Sequence, residues 1–279
     1  MLLNKSLNRV INRNHVSTTY HFNINRLIQI MKKSQFIKKT VLLLFLFSPF
    51  FLVAQNFQVH FDLGAGRKYV TTTFEMFKPD TLGNTFIFVD FDFNFPDKTN
   101  PKYTYYNPGL AYMEVARCFS LSKKVPISAQ IEYNGGFFIN PAGTGLAVNN
   151  AFLGGLDYFM HSKDFSRTYN IKVLYKYIMG KEPASFQITG VWGMNFFKNR
   201  LSFNGFADFW YERNTNYLNS RGNLLATPTH TQLVFITEPQ LWWNITPHAA
   251  IGTEVEMSVN FGSTHGFKIC PTVAAKYTF

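Results

Sequence analysis

The sequence predicts an all-β fold, a 12-stranded antiparallel transmembrane β-barrel of the outer membrane that follows an N-terminal signal peptide. Three observations carry that expectation. After Gln55 no stretch sustains a helical period, and apolar and polar residues alternate instead in runs of about ten. The connections between the runs sort by length, with long ones at odd positions and short ones at even positions. The chain also stops on an aromatic, Phe279, inside a fully patterned run, where most domains end in a polar tail.

Composition agrees with a membrane setting. Aromatic residues make up 18% of the 279-residue chain and charged residues 15%, which is low for a soluble surface. The net charge of +11 is concentrated at one end. Residues 1–54 hold eight Lys or Arg and no Asp or Glu, so the remainder is close to balanced and no nucleic-acid partner is implied. Residues 1–30 carry no fold signal and read as a non-structural N-terminal extension before a better start at Met31. From there MKKSQFIKK supplies a basic region and Val41–Val53 an apolar run, with the small Ala54 just before Gln55. This is the layout of a signal peptide spanning 31–54. The run is too short for a membrane anchor, which needs about 20 apolar residues, and Pro49 interrupts it. The barrel is therefore expected over residues 55–279, in the outer membrane of a Gram-negative bacterium, with both termini periplasmic. Cys118 and Cys270 form no CxxC pair and read either as one long-range disulfide or as two unpaired strand cysteines. No metal, calcium or phosphate-loop motif is present and no cofactor is expected.

The predicted strands follow in order. FQVHFDL sets Phe57, Val59, Phe61 and Leu63 against Gln58, His60 and Asp62. TFIFVDFDFNF opposes Ile87, Val89, Phe91 and Phe93 to Asp90, Asp92 and Asn94. ISAQIEYNG opposes Ile127, Ala129, Ile131 and Tyr133 to Ser128, Gln130, Glu132 and Asn134. YNIKVLYKYIMG places Ile171, Val173, Tyr175 and Tyr177 opposite Asn170, Lys172 and Lys176. LSFNGFADFWYE and AAIGTEVEMSVNF repeat the scheme, and GFKICPTVAAKYTF closes it. Most carboxylates lie on the polar register of a strand rather than in a turn.

Alternation alone suits a soluble sandwich as well, where the charged face meets water. Loop sorting favours the barrel. The connections at 96–108, 138–149 and 214–230 are long, whereas 78–84, 120–126, 162–167, 198–200 and 246–248 are short, which is the outer-membrane arrangement. Aromatics near strand ends (Phe57, Tyr69, Phe119, Trp192, Phe196, Tyr277, Phe279) fit interfacial girdles. The last strand is expected to pair with the first, because an open edge in lipid leaves backbone groups unsatisfied. Outer-membrane lipid and lipopolysaccharide are the expected surroundings. The terminal Phe279 strand resembles the signal read by the outer-membrane insertion machinery.

The stretches EMFKPD (75–80), EYNGG (132–136), SKDFSRTYNIKVLYKYIMG (162–180), FQITGVWGMNFFKNRLSFNGFADFW (186–210) and TEPQLWWN (237–244) resemble an outer-membrane family similar to the Tsx-like nucleoside-specific channels. The resemblance covers most of 55–279. It implies a monomeric 12-stranded barrel and the transport of small polar solutes, nucleosides among them.

A 12-stranded barrel should enclose a narrow, ligand-sized passage. The ninth strand places Asp208, Trp210 and Glu212 on the polar register, and the tenth places Glu238, Gln240 and Trp242 there. Indoles beside carboxylates and an amide suit a nucleoside, the ring stacking on a base and the carboxylates accepting from hydroxyls. Tyr112, Glu114 and Glu132 extend this track. The competing structural expectation is that inward charges pair across strands. Lys172 and Lys176 would then meet Asp157, and Lys268 and Lys276 would meet Asp62, Glu254 or Glu256. Pro239 introduces a further alternative, a bulge that turns the tryptophans outward. No enzymatic role is expected. The rival functions are a non-conducting accessory barrel of a larger complex, or a barrel lipid hydrolase using a rim pair such as His161 and Ser162.

Overall fold

The computed structural model describes residues 54–65, 67, 69–94, 107–139 and 144–279. The expected extension at 1–30 and, apart from Ala54, the expected signal peptide lie outside the described residues, as does most of the predicted 96–108 loop. The strands are β1 (Ala54–Asp62), β2 (Val70–Asp80), β3 (Gly83–Asn94), β4 (Asn107–Ser120), β5 (Ile127–Ile139), β6 (Gly145–His161), β7 (Arg167–Ile178), β8 (Ser185–Phe196), β9 (Leu201–Leu218), β10 (Leu224–Thr237), β11 (Gln240–Asn244), β12 (Ala249–Val259) and β13 (Phe267–Thr278).

Each strand pairs antiparallel with its neighbours, and β13 returns to pair with β1 from Asn56↔Thr278 to Asp62↔Thr272. The Phe279 amide donates to the Gln55 carbonyl at 3.0 Å, which extends the closing seam to the last residue. The sheet thus has no edge, as a sheet in hydrocarbon requires.

Thirteen segments make twelve staves, because β10 and β11 are two parts of one. Proline has no N–H to give the ladder, so pairing lapses at Glu238–Pro239. Register survives the lapse. Thr237 faces Ala207 and Gln240 faces Asn204, so no residue has been gained or lost. Trp242 therefore keeps the inward face, and the expected alternative of a turning bulge does not occur here. The break is held by Glu238 N–H to the Phe206 carbonyl at 3.2 Å and Val255 N–H to the Pro239 carbonyl at 3.0 Å. Gly205 makes room for it. A Cβ at that position would lie 2.5 Å from the Glu238 carbonyl oxygen and 2.8 Å from the Trp192 ring.

Period-2 alternation decides which side of each strand meets what. On β7, Val173 is 50% exposed and its neighbour Leu174 is 0% exposed. Ile131, Leu156, Ile171, Tyr175, Ile188 and Ile251 form an apolar outer surface, while Gln58, His60, Asp62, Gln130, Asp157 and Gln187 are buried within. An apolar outside around a polar inside is the inverse of a water-soluble core, and it is stable where the outside meets lipid. Small apolar clusters do occur inside, one of Ala151, Leu153, Leu174 and Ile178 and another of Trp210, Val234, Ile236, Phe206 and Phe261.

Two expectations need correction. The connections read at 138–149 and 214–230 are mostly strand. β5 runs to Ile139 and β6 starts at Gly145, and β9 and β10 continue until only 219–223 separates them. On β9 and β10 Thr- and Asn-rich residues keep the ladder because backbone pairing does not require an apolar face. Tyr69, expected at the lipid interface, instead turns inward, with the Arg67 guanidinium 5.9 Å from its ring centre. Trp192 and Phe119 do lie on the outward register, Trp192 tilted against Phe203 at 5.9 Å and Phe119 under Arg117 at 5.0 Å.

The short turns are pinned by side chains. In the β6–β7 turn the Asp164 carboxylate accepts from Ser162 Oγ at 2.6 Å, Ser166 Oγ at 2.9 Å and Ser166 N–H at 3.2 Å. These bonds, led by that from Ser162, hold its pKa down to about 2. A depressed folded-state pKa stabilises the turn above the ordinary carboxylate value of about 3.9, and that contribution fades as pH falls through about 2. Amide exchange at Ser166 should therefore stay slow from neutral pH to about pH 4 and lose its protection towards pH 2. In Asp164→Asn this pH dependence should be absent.

Candidate functional site

All nine residues expected to line the lumen lie on the inward register. Gln187 faces Trp210 and Thr189 faces Asp208 on β8–β9, while Asn204 faces Gln240 and Ser202 faces Trp242 on β9–β11. On β4 and β5, Tyr112 and Glu114 face Gly136 and Asn134, and Glu132 faces Ala116. Glu212 lies two residues beyond Trp210 on β9, and Glu238 at the strand break. They gather into three groups.

The first is built on Trp210. Its Nε1 donates to Glu212 Oε2 at 2.8 Å, and Glu212 Oε1 in turn meets Lys181 Nζ at 2.9 Å. The ammonium of Lys176 stands 3.8 Å from the indole centroid and donates to Gln187 Oε1 at 2.6 Å. Gln187 then donates to Thr189 Oγ1 at 3.0 Å. The second group is built on Trp242, which is 0% exposed. Its Nε1 donates to Gln240 Oε1 at 2.9 Å, an oxygen that also accepts from Asn204 Nδ2 at 2.9 Å. Gln240 Nε2 donates to Glu254 Oε2 at 2.6 Å. Lys276 Nζ lies 4.2 Å from the ring, and His60 meets it edge-on at 5.9 Å. Each indole thus already carries an ammonium, an arrangement favourable by roughly 2 kcal/mol when desolvated.

The third group is acidic. Tyr112 Oη donates to Glu114 Oε1 at 2.8 Å, and Gln130 Nε2 donates to Glu132 Oε2 at 2.6 Å. Glu114 and Glu132 stand on paired strands, opposite Asn134 and Ala116, and Glu238 at the strand break and Glu254, opposite Gln240, continue the row of inward carboxylates.

The cross-strand pairing expected for the lysines holds only in part. Lys172 lies across the ladder from Asp157, whose carboxylate accepts from Asn170 Nδ2 at 2.7 Å. Lys176 and Lys276 instead cap the tryptophans, and Lys268 lies across from Ser258. Sequence reading missed Arg67. It reaches from the β1–β2 connection to Asp62 Oδ2 at 3.1 Å and Glu256 Oε2 at 2.7 Å, joining carboxylates on two different strands. The one available signal was its place in GAGRKY, directly after the strand that ends at Asp62.

Cys118 and Cys270 are both free and buried, which matches the unpaired alternative. The rim pair is not brought together for catalysis. Ser162 Oγ points to Asp164, while His161 Nδ1 lies 2.8 Å from the Ser162 carbonyl and its ring stacks on Phe165 at 3.8 Å. The imidazole of His60 is occupied by Gln58 Oε1 at 2.8 Å and Thr272 Oγ1 at 3.1 Å.

Comparison with known proteins gives a family and a fold. The model of a family described as a domain of unknown function (DUF5020) matches residues 54–279. No curated protein matches. Among solved structures, the NanC porin aligns with a TM-score of 0.50 at 9% identity, covering 81% of this chain and 100% of that one. The KdgM porin in complex with disordered oligogalacturonate aligns at 0.42 and 10% identity, over 81% and 99% of the two chains. The outer membrane protein Omp33 of Acinetobacter baumannii aligns at 0.38 and 12% identity, over 82% and 99%. At such identities the likeness concerns the fold alone.

Proposed function

The chain belongs to the DUF5020 family, and we propose that it forms a passive outer-membrane channel for small polar solutes. The observation that carries this reading is the closed barrel itself, apolar outside and lined inside by charged, amide and hydroxyl side chains. A wall of that kind replaces part of a solute's hydration shell without holding it tightly, which is what transit requires. Fold likeness to the NanC porin supports the same direction. The start of β1, the end of β13 and the short turns share one end of the barrel, and we assign that end to the periplasm. The Phe279 strand would be the element offered to the insertion machinery, and outer-membrane lipid and lipopolysaccharide would surround the wall.

The finer reading is nucleoside passage. Asp208, Trp210, Glu212, Glu238, Gln240 and Trp242, extended by Tyr112, Glu114 and Glu132, form an acceptor-rich track with two indoles. Ribose hydroxyls suit the carboxylates directly. A base would reach Trp210 or Trp242 by exchanging places with the Lys176 or Lys276 ammonium, which keeps such contacts weak.

The test is planar-bilayer conductance of the refolded protein, with folding verified by heat-modifiable gel migration. Small channels that nucleosides block reversibly are the expected result. Conductance indifferent to nucleosides would overturn the nucleoside reading and keep the channel. Silence from folded protein would overturn the channel and favour an accessory barrel.

A further inference from the structure

Resting on the channel reading, we infer that the lumen selects cations over anions, and that Glu114, Glu132 and Asp208, with Asn134 beside them, form the selecting band.

Lumen cations are few: Arg67 bridges Asp62 and Glu256, Lys181 pairs with Glu212, Lys172 and Lys268 lie across the ladder from Asp157 and Ser258, and Lys176 and Lys276 lie on indoles. Many carboxylates, by contrast, are held by neutral donors. Thr71 Oγ1 donates to Asp92 and Thr73 Oγ1 to Asp90, and the Gln58 amide donates to Glu75. Glu254 takes the Gln240 amide, Glu114 the Tyr112 hydroxyl and Glu132 the Gln130 amide. A hydroxyl or amide fixes a carboxylate in place without cancelling its charge. Among the described residues carboxylates on the inner wall outnumber cations, which leaves it net negative, and low-dielectric walls focus that field.

Glu114 and Glu132 lie on paired strands, opposite Asn134 and Ala116, and Asp208 faces Thr189 on the inward row of β9. A second, independent feature points the same way. Asn134, opposite Glu114 on β5, is only 7% exposed, yet its Oδ1 has no hydrogen-bond partner in the protein, and neither has Asp208 Oδ1. A buried acceptor left unmatched is costly, and it is satisfied by what brings a donor. Ammonium N–H groups and the water shell of a metal cation bring donors; carboxylates and phosphates bring further acceptors and the wrong charge. The same band thus favours small cationic or donor-bearing solutes and rejects polyanions.

The experiment is the reversal potential of the refolded full barrel in a planar bilayer under a tenfold KCl gradient. The wild type should reverse on the cation side. In Glu114→Gln/Glu132→Gln the potassium-to-chloride permeability ratio should fall by at least about threefold, as expected when ring charges set selectivity. Asp208→Asn supplies a second variant if the double change does not fold, and Glu114→Asp should preserve the ratio. Anion preference in the wild type, or an unchanged ratio in folded variants, would overturn the inference while leaving the channel intact. A folded barrel that passes no current overturns the channel reading and this inference with it.

Discussion

Replacing Val173 with arginine should destabilise the barrel by about 2–4 kcal/mol, because it sets a guanidinium on the outer face near the middle of β7. Hydrocarbon there offers the charge neither water nor a partner. The cost should depend on depth. Met160→Arg, on the same outward register but at the end of β6, should cost only about 0–1 kcal/mol, since a long side chain at a strand end reaches the headgroups. Val173→Ala is the control for lost packing. Urea unfolding in lipid vesicles measures all three. Equal small costs for the two arginine variants would mean that this face does not lie in lipid.

Arg67→Ala should cost about 3–5 kcal/mol, the range for removing one member of a buried ion pair. Asp62 and Glu256 have side chains 4% and 10% exposed, and they face one guanidinium from opposite sides of the β12–β13–β1 seam. Without it two carboxylates confront each other. The 22% exposure of Arg67 itself places the expected value near the lower end of that range. Adding Asp62→Asn and Glu256→Gln to Arg67→Ala should restore much of the lost stability, because an amide pair is satisfied without a cation. Failure of that rescue would show that Arg67 acts by shaping the loop, where its N–H donates to the Gly64 carbonyl at 3.0 Å, rather than by charge.

Most of the fold was legible before any coordinates. Each strand with a strict two-residue period declares its two faces, since successive side chains point to opposite sides whatever the neighbours are. That is why Asp208, Trp210 and Glu212 read correctly as one inward row, and why Ile171, Val173 and Tyr175 read as its outer counterpart. The final run ending in Phe279 likewise announced closure, because a patterned strand in lipid must find a partner along its whole length. Strand ends were misjudged where polarity was mistaken for irregularity. Residues 212–218 and 224–231 continue the β9–β10 ladder, where the Asn216 amide also donates to Thr231 Oγ1 at 2.8 Å.

The sequence by itself determined the strand count, the hairpin order and the inward or outward sense of every side chain on a regular stave. Tertiary structure alone decided which inward groups meet. Lys176 reaches Trp210 from two strands away, and Arg67 crosses the seam between the first and last strands. Those meetings depend on barrel radius and on the stagger accumulated around the closed sheet. Alternation carries no information about either quantity, because it repeats identically on every strand.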